Sequence, residues 1–109
     1  MTLPRKLIVL AAVAIAAGTA FAAVNEDAKK AYTDANNKMM QDMMMELSGD
    51  PDMDFVMMML PHHQGAVDMA KIELQYGKDA ELRKMAEDIV TSQEKEIEFM
   101  KAWNKKHGM

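Results

Sequence analysis

The chain has 109 residues, with 13 Lys and Arg against 17 Asp and Glu, a formal net charge of −4 and no cysteine. An acidic chain of this size disfavours nucleic acid as a partner, and its lack of thiols excludes disulfides, thiolate metal sites and a Cys nucleophile. Fourteen methionines are the compositional outlier.

The first 22 residues read as a leader rather than as part of the fold. Arg5 and Lys6 form a short basic region, Leu7 to Ala17 an apolar run, and Ala20-Phe21-Ala22 the small-x-small pattern that a signal peptidase cuts. A membrane anchor is the rival reading, but the run is short for a bilayer span. No second long apolar segment follows. Cleavage after Ala22 would leave residues 23–109 as one small, soluble, exported domain, free of any membrane span. It would also remove two basic residues and make the chain more acidic.

Three helices are expected in that domain, and no strand. The first runs from about Asn25 to Leu47, with Ala28, Tyr32, Ala35, Met39 and Met43 on one stripe at helical spacing. Ser48-Gly49-Asp50-Pro51-Asp52 ends it with a C-terminal Gly followed by Pro. The second helix starts at Asp52 or Met53 and reaches Tyr76, closed by Gly77. The third spans about Asp79 to Lys106, with Lys101, Lys105 and Lys106 in its last turns, where cations favour the helix dipole. Short connections make neighbours antiparallel. The fold class is therefore all-α, a small antiparallel bundle of three main helices. Its core is thin, so either a homodimer or bending of the helices would complete it.

Pro61 lies inside the second helix, where it removes a donor to the carbonyl of Met57 and crowds that turn. Either a kink or a new helix start is expected there. One residue later comes His62-His63, the most informative pair in the chain. Phe55, Met58, Met59, His62, Ala66 and Met69 fall on one inward stripe, with His62 near its centre and His63 toward its edge. Met58/His62 and Met59/His63 are i, i+4 pairs, each bringing a thioether and an imidazole to one side. Neutral nitrogen and sulfur donors together suit a soft ion, Cu(I) or Ag(I). A Met is also an ordinary filler of irregular cores, and that reading competes at every single position.

Two further patterns bear on the choice. The third helix carries Leu82, Met85, Ala86, Ile89, Met100 and Trp103 on its apolar stripe, with Gln93 and Glu96 inside the same stripe. If this side meets the second helix, either polar group would orient an imidazole by holding the ring nitrogen not bound to metal. On the first helix Met39 and Met43 share the apolar stripe, while Met40 and Met44 lie roughly opposite and Met45 off both. Methionine on several sides of a helix implies a second buried surface, a dimer contact or a soft-metal surface.

Catalytic patterns are missing: no Ser-His-acid context surrounds Ser48 or Ser92, and no Gly-rich phosphate loop or haem motif occurs. The Glu-x-x-His pattern of di-iron bundles is also absent. The chain is read as a non-enzyme.

Asp54-Phe55 with Met58-Met59-Leu60-Pro61-His62-His63-Gln64-Gly65-Ala66-Val67-Asp68-Met69-Ala70 resembles the signature of the DUF305 family. Ile89-Val90, Gln93, Glu96-Ile97, Met100 and Trp103 match that family's third-helix pattern, so the likeness covers about residues 52–106. The resemblance implies a ferritin-like helical bundle in the periplasm, in copper-resistance or other metal-handling settings, with a copper-transport or copper-resistance protein as partner. Carried over by position, the metal-binding candidates are Met58, Met59, His62, His63, Met69 and Met100. Met40, Met43 and Met44 are added on composition alone. The expected function is sequestration, resistance or delivery of Cu(I) or Ag(I). The alternative is a Met-rich helical envelope chaperone or adaptor that uses no metal.

Overall fold

The computed structural model describes residues 23–109; the expected leader, residues 1–22, lies outside them. Three α-helices account for nearly all of the described chain: α1 (Glu26–Met43), α2 (Pro51–Tyr76) and α3 (Ala80–Lys106). Among the described residues there is no strand, and no helix is long and apolar enough to cross a membrane.

Each helix starts on a side-chain cap. Asn25 accepts from the amide of Ala28 at 2.9 Å, Asp50 from those of Asp52 and Met53, and Asp79 from that of Leu82 at 2.9 Å. Pro51 occupies the first turn of α2, where its missing N–H costs nothing. At the other end of α2, Arg83 Nη1 donates to the carbonyls of Leu74 at 2.8 Å and Gly77 at 3.0 Å. This one guanidinium closes the α2–α3 turn and satisfies carbonyls the helix leaves open.

The first helix is shorter than its sequence pattern suggests, ending at Met43 rather than Leu47. Gly49, at φ +87°, sits in the connection just before α2 rather than at the end of α1. That connection is organised by Asp54. Its carboxylate accepts from the Ser48 amide and hydroxyl at 2.8 and 2.7 Å and from the Gly49 amide at 3.0 Å. The Ser48 hydroxyl, the Ser48 amide and the Gly49 amide together hold the Asp54 carboxyl below its ordinary range. At Pro61, α2 continues without interruption, so no new helix begins there.

α2 is the central element. α1 packs along it, α3 packs along it, and α1 and α3 make no comparable contact with each other. Both neighbours run antiparallel to it. Met39 of α1 lies over Gly65, and Asp42, further along α1, shares a groove with Pro61. On α3, Arg83 reaches Leu74, Glu96 meets His63, and Trp103 shares a groove with Val56. The buried residues are Val56, Gly65, Val67 and Ala70 on α2 and Ala86, Ile97 and Met100 on α3; α1 buries none. The fold is thus the small antiparallel all-α bundle expected, with a thin core centred between α2 and α3.

The inward side of α2 is not the stripe that periodicity selects. Phe55 is 61% exposed, and His62 and Met69 are exposed too, whereas Val56, Val67 and Ala70 point into the core. With helices on two sides, α2 is apolar around most of its circumference. A helix of that kind has no single hydrophobic face for periodicity to find.

Candidate metal-binding face

The two histidines face different surroundings. His63, expected at the edge of the inward stripe, is the half-buried one, its side chain 15% exposed. Its Nδ1 lies 2.9 Å from the carbonyl oxygen of Met59, one turn back. Its Nε2 meets the Glu96 carboxylate of α3. Both partners are acceptors, so each contact is a hydrogen bond when the ring nitrogen facing it carries a proton. The contact ties the middle of α2 to α3 and fixes the imidazole plane.

The sequence offered Gln93 and Glu96 as partners for an imidazole nitrogen not bound to metal; here both ring nitrogens of His63 are engaged by protein groups. Of the two candidates, Glu96 makes the contact, and Gln93, half-buried nearby, makes no hydrogen bond with either histidine. The His63–Glu96 pair edges a groove of about 580 Å³ between α2 and α3, lined also by Phe55, Val56, Phe99, Met100 and Trp103. Met100 is buried at 5% exposure and belongs to this side of the molecule, together with His63.

His62 stands on the surface, and among the described residues no hydrogen bond engages its ring. Both of its nitrogens are available to a ligand. At about 100° per residue, Met58, His62, Gly65 and Met69 fall within about 60° of arc on α2. Met58 is half-buried and Met69 is 38% exposed, so this side of the helix offers an imidazole between two thioethers.

Gly65 is the low point of that arc. The Met39 side chain lies directly on it: a Cβ at position 65 would come within 2.5 Å of the Met39 sulfur and 3.0 Å of its Cγ. Met39 was not among the residues that sequence pattern proposed as ligands. The signal that finds it is the glycine itself, since Gly inside a helix marks a close approach by another chain segment.

The remaining candidates disperse. Met59 is half-buried one turn before His63, and its backbone carbonyl is what contacts the ring. Met43 is half-buried on α1, while Met40 and Met44 are 55% and 82% exposed. Among the described residues no three His, Asp or Glu side chains gather as a metal site.

Chemically, the arrangement offers one imidazole without a partner among the described residues, on a helix side that also carries thioether sulfurs, and a second imidazole locked one residue away. Neutral soft donors of this kind favour monovalent copper or silver over zinc. The fold and this His/Met side define a small helical bundle with a soft-donor surface. A family model described as a domain of unknown function, DUF305, matches residues 12–104, and the chain belongs to that family. The match takes in all of α1 and so extends beyond the 52–106 stretch in which the motif is visible by eye. No curated protein matches the chain.

Proposed function

We propose that this protein binds Cu(I) or Ag(I) as cargo, in the periplasm after export, and acts in copper sequestration, resistance or delivery. The observation that carries the reading is His62: a surface imidazole with no hydrogen bond among the described residues, standing between Met58 and Met69 along one side of α2. A lone surface histidine would carry little. A histidine framed by methionines in a chain with 14 of them and no cysteine has donors matched to a soft monovalent ion. Thioethers also escape the disulfide chemistry that would disable thiolates in an oxidising compartment. The likeness of the motif to the periplasmic copper-binding protein CopM points the same way. A copper-transport or copper-resistance protein is the natural exchange partner.

The test is an anaerobic Cu(I) titration of the protein against a competing Cu(I) chelator, with a His62→Gln/His63→Gln variant alongside. Wild type is expected to compete and the variant to lose competition. Failure of both to compete would remove the metal reading. A chaperone or adaptor function would then take its place, a reading favoured by the exposed Phe55, Leu82, Met85 and Phe99.

A further inference from the structure

The metal reading rests on α2 alone, yet α2 does not present its His/Met side alone. Gly65 lies three residues from His62 and four from Met69, and such positions on a helix are about 5–6 Å apart at Cβ. The Met39 side chain rests on Gly65 with its sulfur nearest to where a Cβ would be. A thioether from α1 is therefore seated on the α2 position that lies, along the helix, between His62 and Met69. No other residue type could occupy position 65 without moving that sulfur.

Two features separate this contact from ordinary core packing. α1 buries no residue at all, so Met39 is not part of a sealed interior. The neighbouring imidazole of His62 has no protein hydrogen-bond partner among the described residues. We propose that Met39, seated in the Gly65 notch, supplies a thioether ligand to the soft ion that His62 takes, so that loading the ion fastens α1 onto α2. The inference deepens the metal reading above and depends on it.

The experiment uses Ag(I), which needs no reductant, with the protein labelled at its methionine methyl groups with carbon-13. Ag(I) is expected to shift the Met39 methyl resonance, assigned by its disappearance in Met39→Leu. Met39→Leu keeps the apolar volume and removes only the sulfur. Gly65→Ala keeps the sulfur and displaces it. Each is expected to weaken Ag(I) by about tenfold or more, the scale on which loss of even an outer partner of a metal site is felt. Amides of α1 are expected to gain hydrogen-exchange protection on loading in wild type and not in Met39→Leu. Thermal melts of the metal-free variants check that both fold, so that a loss of Ag(I) is not a loss of structure.

If Met39→Leu binds Ag(I) as tightly as wild type while His62→Gln does not, Met39 is packing only. The proposal then falls and the metal function stands. If wild type itself takes no Ag(I), both fall together.

Discussion

Adjacent residues on a helix point about 100° apart, and that rotation divides His62 from His63. His63 turns toward α3, where the Met59 carbonyl and the Glu96 carboxylate occupy both ring nitrogens. His62 turns to the surface, and no described residue engages either of its nitrogens. The single variants should therefore part company. His62→Gln is expected to take most of the Cu(I) affinity and leave the melting temperature nearly unchanged. His63→Gln is expected to do the reverse, lowering stability by about 0–1 kcal/mol, a small cost because the Glu96 side chain is 59% exposed. Chelator competition and thermal melts on the two variants check this; a larger affinity loss in His63→Gln would reassign the ligand. The pair itself is plain in the sequence, and so is Glu96, a carboxylate set within an apolar stripe. Which histidine faces inward is not, because a rotation of one residue position decides it and the neighbours of α2 set that rotation.

The same limit operates on whole elements. Helix number, order and most ends follow from local chemistry: Asn25, Asp50 and Asp79 cap, Pro51 starts and Gly77 stops. The end of α1 does not follow, because Met43 to Leu47 reads as helix, yet the chain leaves the helix early to reach the Asp54-organised turn. That turn carries its own prediction. Hydrogen bonds from Ser48 and Gly49 hold the Asp54 carboxyl below its ordinary value of 3.8. A carboxyl depressed in the folded state contributes stability above that ordinary value and loses it as pH falls through the lower folded value. Wild type should therefore lose this contribution on acidification below about pH 3.8. Asp54→Asn, which lacks it at neutral pH, should melt lower there and lose less on acidification. Thermal melts across that range decide it, and parallel curves for the two proteins would show that the Asp54 contacts do not contribute to stability. Methionines of α2 that lie outside its periodic stripe have an explanation at this scale too. Met53 and Met57 are half-buried because α2 has neighbours on two sides, and periodicity assumes one.

At the scale of the molecule, stability is distributed unevenly. Val67, 1% exposed, and the buried Val56, Ala70, Ala86, Ile97 and Met100 all lie between α2 and α3. The His63–Glu96 pair and the Arg83 bridge join the same two helices. α1 rests on α2 by half-buried residues such as Ala31, Ala35, Met39 and Met43, and its ion pairs, Lys30–Asp34 and Lys38–Asp42, are exposed and internal to the helix. A segment with few buried apolar contacts opens at low free energy, and a core segment only with the whole fold. In native-state hydrogen exchange across a denaturant series, amides of α1 are expected to exchange through an opening distinctly cheaper than that of the amides around Val67. The latter should follow global unfolding. A single opening free energy shared by α1 and α2 would mean that α1 belongs to the cooperative core. A separate, cheaper opening would mean that the Gly65 notch beside His62 is uncovered and covered again by Met39 without unfolding. An ion could then enter and leave by the motion of one helix.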